Sequence, residues 1–265
     1  VPDEIQLPQQ AASQGTLVEQ SRAVAEVAAA VRVARDFPRD ETTAITSMRD
    51  LTSRLPIAQR AFYEVPNRGS GLSVHIAREL ARIWGNVDYG VRELHRDDER
   101  GVSEMTAWAW DQQTNVRSTR SFLVPHQRMK AKSRVTLTDL GDIYLNNQNI
   151  GARAVRECIF TVLPGWFVSD AEAALRGTLR NGDGKPIQQR RVAAIEAFAA
   201  IRVTQRQLEG RVKQRADKWN PDTIAELLRV YSSITQDGIP VQEFFPDEVV
   251  EIPGARKTEL TEEEQ

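Results

Sequence analysis

The chain has 265 residues, 40% of them hydrophobic and 27% charged, with a formal net charge of -2 and one cysteine. Such a composition suits one or two packed domains and excludes a chain that is disordered over most of its length. No apolar run approaches the roughly 18 residues of a membrane span, no charged-then-apolar leader opens the sequence, and lone Cys158 excludes an intramolecular disulfide framework, so a reducing cytoplasm is the expected compartment.

The charge is divided unevenly. Residues 1–111 hold 13 Lys/Arg against 17 Asp/Glu, residues 112–215 hold 18 against 8, and residues 216–265 hold 4 against 12, giving -4, +10 and -8. Residues 112–138 carry Arg117, Arg120, Arg128, Lys130, Lys132 and Arg134 and no carboxylate, a pattern suited to a polyanionic partner. A solvated basic face is the bland alternative. Residues 247–265 are acidic with few large apolar side chains, so this tail is expected to be disordered and able to compete with nucleic acid for a basic surface.

In chain order, residues 17–36 predict an amphipathic helix with Val24, Val27, Val31 and Ala34 on one face, stopped by Phe37-Pro38. A shorter helix follows from Arg39 through Ile45, Met48 and Leu51, then a short strand over 61–65 and a turn over 66–71. Ser73 is a good N-cap for a helix with Ile76, Leu80 and Ile83 on one side, ending at Gly85. From Val87 the period changes to two. Strands are expected over 87–92, 102–110 and 116–124, joined by short links, which makes an antiparallel meander. A basic loop leads to Thr138 or Asp139, either of which caps a long helix with Ile143, Ile150, Val155, Ile159 and Val162 apolar and with Arg153 and Arg156 three residues apart. Helices over 170–179, 186–201, 204–215 and 221–234 follow, with residues 181–184 as the linker. The expected fold class is therefore α+β: a three-stranded meander packed on helices and followed by a long helix, in a core of residues 1–181, with a C-terminal helical unit over 186–246.

Catalytic motifs are scarce. Gly182-Asp183-Gly184-Lys185 fails as a phosphate loop because Leu179 replaces the required glycine and Pro186 follows the lysine. Asp97, Asp98 and Glu99 fall in a hairpin turn, where solvated charge is the ordinary explanation. His75, His95 and His126 lie near no Ser or Cys nucleophile in a recognisable elbow, and no zinc spacing is present. No catalytic residue, metal or cofactor is expected. Trp108 and Trp110 share one strand face; filling the space between sheet and helix is their expected role and base stacking the alternative.

Helix, meander, basic connection and long helix with paired arginines come in an order that resembles the core of single-strand annealing proteins, among them the phage RecT, Red-beta, Erf and Sak types and the eukaryotic Rad-fifty-two family. Residues 73–80 with Trp84-Gly85 look like the family's helix leading into the meander, and Gly151-Ala152-Arg153-Ala154-Val155-Arg156 looks like its DNA-binding helix, although a family Lys-Arg pair is here Ala152-Arg153. The resemblance covers roughly residues 17–179, and the sequence also looks like a phage or prophage annealase of actinobacterial type. It implies that Arg153 and Arg156 hold single-stranded DNA, with Arg128, Lys130, Lys132 and Arg134 in a variable basic connection beside them; Arg117 and Arg120, from the carboxylate-free stretch itself, complete the expected DNA-binding set. It further implies ATP-independent annealing by a homo-oligomeric ring or helix inside a bacterial host cell, with a phage exonuclease or a host single-strand-binding protein as a further partner. Annealing requires a surface that holds phosphates and leaves bases free to pair, not catalytic carboxylates. The competing expectations are a metal-dependent nuclease using Asp97, Asp98, Glu99 and Glu104, and an oligomeric phage scaffold protein.

Overall fold

The computed structural model describes residues 14–65, 69–130, 133–236 and 238–245. The acidic tail and Lys132 lie outside the described residues, as does most of the turn at Pro66-Asn67-Arg68. Ten α-helices and seven strands fill the described chain, in a mixed α+β arrangement.

Helix α1 (Gln14–Asp36) follows from an alanine-rich stretch, alanine being the best helix former. Its apolar face is mostly unpacked: Val24 and Val27 are exposed and only Ala34, near the C-terminal end, is fully buried. Helix α2 (Glu41–Ser53) starts at Asp40, whose carboxylate accepts the amides of Thr42 and Thr43. The hydrogen bonds from Thr43 hold that carboxyl below the usual carboxylate range. Then come the short α3 (Leu55–Gln59) and a hairpin of β1 (Phe62–Val65) and β2 (Gly69–Leu72). In α4 (Val74–Trp84), the Ser73 hydroxyl accepts the amide of Ile76, and Gly85 at φ +76° supplies the left-handed conformation that ends the helix. Ile76, Ala77, Leu80, Ala81 and Trp84 form its buried face.

The meander is present as β3 (Val87–Asp97), β4 (Val102–Asp111) and β5 (Val116–Pro125), antiparallel and in that order. Along β4 the pleat alternates cleanly: Ser103, Met105, Ala107, Ala109 and Asp111 are buried, while their neighbours point to the other face. Directly after β5 the expected loop is instead a second hairpin, β6 (Gln127–Lys130) with β7 (Ser133–Thr136). Its residues from Ser133 to Thr136 are all exposed, so no buried face imprints a period of two on the sequence. The hairpin is stitched to the sheet by backbone bonds, the His126 amide donating to the Gly101 carbonyl and the Leu137 amide to that of His126.

Helix α5 (Leu140–Val162), capped by Asp139, lies across all three meander strands. Its buried stripe is Ile143, Asn147, Gly151, Val155, Cys158, Ile159 and Val162, with Ile150 only half-buried. A Cβ on Gly151 would come within 2.7 Å of the Val91 methyl, so glycine lets the helix sit directly on β3. Helix α6 (Gly165–Asn181) is longer than the expected 170–179 and carries Phe167, Ala171, Leu175 and Leu179 into the same core.

Beyond α6 come α7 (Ile187–Ala200), α8 (Gln205–Val212), α9 (Pro221–Thr235) and α10 (Val241–Phe244). They enclose a second core around Phe198, Leu208, Trp219, Leu227, Phe244 and Phe245. The stretch between α6 and α7 is a short 3-10 turn. Arg190 on α7 donates to the carbonyls of Leu179 and Arg180, and its guanidinium lies so close to Gly182 that no side chain fits there. Helix α9 joins the two cores: the Ser233 hydroxyl accepts the Glu64 amide on β1, and Arg211 and Arg229 both pair with the Glu64 carboxylate.

Candidate nucleic-acid interface

Directly paired residues of an antiparallel sheet share a face, so the register sorts the basic side chains. Arg120 stands opposite Ala107, on the side of the sheet that α5 covers, whereas Arg117 stands opposite Trp110, on the side away from α5. Both are exposed on β5, which is an edge strand with two cations and no carboxylate. In the β6–β7 hairpin, Arg128 pairs with Val135 and Arg134 with Met129, so the two arginines occupy opposite faces of the ribbon. Arg128 reaches toward Asp142 in the first turn of α5, at 3.6 Å. Lys130 belongs to the backbone of β6.

On α5 the two paired arginines part company. Arg153 is exposed, directed away from the buried stripe of Gly151 and Val155. Arg156 is not the solvent-facing side chain expected of a strand contact: it is only 14% exposed, its guanidinium lies 4.3 Å from the Tyr63 ring centroid, and it pairs with Glu157 at 2.8 Å. Three residues advance a helix by about 300°, leaving the two side chains about 60° apart, and here that is enough to turn one arginine toward Tyr63 on β1 while the other stays in water. The structure thus brings Arg120, Arg128 and Arg153 to the α5 side of the sheet, places Arg117 on the reverse, and turns Arg156 onto Tyr63.

A polar network, illegible in the sequence, fixes this geometry. The Asn147 amide on α5 donates to the Ser103 hydroxyl at 2.9 Å and to the Glu93 carboxylate at 3.0 Å, and Ser103 is 2.9 Å from His126 Nε2. A β-bulge after Glu93 sets Glu93 and Arg96 on the same side of the sheet, where they form a two-pronged ion pair. The hydrogen bond from Arg96 holds the Glu93 carboxyl below its usual range, against the opposing effect of burial. A serine therefore lies beside His126, although inside a strand and not in a nucleophile elbow. Ser103 is fully buried and its hydroxyl is engaged by both Asn147 and His126, so its position ties β4, the end of β5 and α5 together.

No family model, curated protein or solved structure matches this chain. The carboxylates proposed for a nuclease diverge: Asp97 accepts the Arg100 amide within the turn, Asp98 faces His126 Nδ1 at 3.8 Å, and Glu104 projects from the opposite sheet face beside His95. Among the described residues, no group of three or more His, Cys, Asp and Glu is placed to hold a metal ion. Gly182, in the rejected phosphate-loop motif, is the left-handed C-cap of α6. Among the described residues no single helix is long and apolar enough to cross a membrane.

Trp108 and Trp110 overturn their sequence expectation. They do not fill the space between sheet and helix, which is occupied by Met105, Ala107 and Ala109, but stand half-buried on the opposite face. The small residues of β4, alternating with large aromatic ones, were the available signal: a helix packs closely on Ala107 and Ala109, leaving the tryptophans for the other side.

Proposed function

We propose that this chain binds single-stranded DNA and anneals complementary strands without nucleotide hydrolysis, acting as a homo-oligomer in recombination of the phage type within a bacterial cell. The observation that carries the proposal is the placement of the carboxylate-free stretch: it forms the exposed β6–β7 hairpin and the edge strand β5, against which α5, bearing exposed Arg153, packs. An edge strand and a ribbon that offer guanidinium groups and no acid suit a flexible phosphate backbone. The β3-β4-β5 meander followed by α5 has the element order of the single-strand annealing core, and this likeness in order supports the annealing reading over simple storage of a strand. Repetition of a weakly binding surface around a ring or helix would supply avidity along a long strand. A phage exonuclease or host single-strand-binding protein is the natural partner for a protein that receives resected DNA.

Fluorescence anisotropy with labelled single-stranded and duplex oligonucleotides over a series of salt concentrations tests the binding half of the proposal. Preference for the single strand, with log affinity falling linearly with log salt at roughly 0.7 per neutralised phosphate, is the expected result. Absence of binding at low salt, or affinity indifferent to salt, would refute it.

A further inference from the structure

We propose that the face of the meander opposite α5 is a stacking surface for the unpaired bases of a single strand, with Trp110 and the Arg92–Trp108 pair as its platforms. The inference rests on the single-strand reading above and adds to it a second face, on the reverse of the α5 side.

The register lays this face out in rows across the strands. Asp88, Trp110 and Arg117 form one row, Gly90, Trp108 and Thr119 the next, and Arg92, Thr106 and Ser121 the third. A Cβ on Gly90 would lie 2.6 Å from the Trp108 ring, so the missing side chain is what admits the indole over β3. The Arg92 guanidinium stacks with that ring, 4.7 Å from its centroid. Each indole is also held at its polar end: Trp108 Nε1 donates to Asp88 at 2.7 Å and Trp110 Nε1 to Asn115 at 3.1 Å. Both rings are thereby oriented before any ligand arrives, with their N–H groups already satisfied.

Charge complementarity selects the occupant. At the tryptophan end, Arg92 and Arg117 are exposed cations, and the nearby carboxylate of Asp88 is engaged by an indole N–H. Arg117 adjoins Trp110 across the strands, and Arg120 lies on the same edge strand with its side chain on the other face. A chain with a flat aromatic group and an anion in every repeat fits this spacing of rings and guanidinium groups. Stacking uses the faces of the bases and leaves their pairing edges free, so the platform is compatible with annealing. Adenine, thymine, guanine and cytosine all present such faces, so no sequence preference is expected.

The test compares a homothymidine strand with an abasic strand of the same length, so that phosphate number is held constant, using full-length protein with Trp110→Ala, Trp108→Ala and the ring-retaining Trp110→Phe and Trp108→Phe. The wild-type chain should prefer the strand with bases, each alanine variant should shrink that preference by about tenfold, and the phenylalanine variants should keep most of it. The salt slope should be unchanged in all four. Equal wild-type affinity for the two strands overturns the stacking surface while leaving single-strand binding intact. Binding of neither strand overturns both. A change of oligomer size in the alanine variants, with the base preference undiminished, would assign the face to contact between copies of the chain and also overturn the proposal.

Discussion

Arg153→Ala and Arg156→Ala should affect the protein in different ways, although the residues are separated by a single helical turn. The Arg156 guanidinium lies 4.3 Å from the Tyr63 ring centroid, with only 14% of the side chain exposed. A cation–π contact of this kind contributes about 0.5–2 kcal/mol, depending on how dry it is. Its partner Glu157 is 47% exposed, so that ion pair adds at most about 1 kcal/mol. Truncating Arg156 should therefore cost on the order of 1–2 kcal/mol. For a chain of this size, that lowers Tm by about 3–6 °C. Arg153 is exposed and makes no ion pair among the described residues, so alanine there should leave stability within about 0.5 kcal/mol. Its loss should instead lower the salt slope of single-strand binding by roughly 0.7, the contribution of one phosphate contact. Thermal melts and anisotropy titrations at several salt concentrations measure both. The reasoning fails if Arg153→Ala lowers Tm as far as Arg156→Ala does, or if Arg156→Ala lowers the salt slope while Tm stays fixed.

Further consequences concern the scaffold. Gly151→Ala should be net destabilising, because a stiff β-branched Val91 methyl stands 2.7 Å from the new Cβ; overpacking of about 1–3 kcal/mol outweighs the roughly 1 kcal/mol that alanine gains in a helix. Urea denaturation checks this, and adding Val91→Ala should recover part of the loss, whereas a more stable single variant would contradict the packing. Glu93 has a depressed carboxyl pKa in the folded state through its hydrogen bond from Arg96. Its contribution is therefore present above the ordinary carboxylate value of 4.5 and is lost as pH falls through the lower folded value. Glu93→Gln should be less stable than the wild type at neutral pH, with the gap closing on acidification, and a gap independent of pH would count against this account.

Much of the fold could be read directly because local signals agreed with tertiary packing. Ser73 caps α4 as expected, Asp139 is the one of the two expected candidates that caps α5, Gly85 ends α4, and the alternation in β3 and β4 follows a real division between the face that α5 covers and the opposite one. The β6–β7 hairpin was missed because its described side chains are exposed on both faces, so polarity alone could not distinguish a ribbon from a loop. The apolar spacing in α1 correctly indicated a helix but not its surroundings, since Val24 and Val27 are exposed. In the candidate site, residue type was legible and direction was not. Whether Arg156 meets water or Tyr63 depends on where β1 lies, and the joining of Ser103, His126, Asn147 and Glu93 depends on four separate elements converging. The two tryptophans show the same limit in reverse, because which face α5 would cover was decided by Ala107 and Ala109 rather than by the larger side chains.

Strand annealing itself is the most direct measurement. Two complementary oligonucleotides, one carrying a fluorophore and the other a quencher, are mixed with full-length protein in EDTA and without nucleotide, and the rate of quenching is compared with the spontaneous rate. The account predicts marked acceleration under these conditions, weakened by Arg153→Ala and suppressed by high salt as phosphate contacts are screened. A rate equal to the spontaneous one, or acceleration that appears only when ATP or a divalent cation is added, would contradict it.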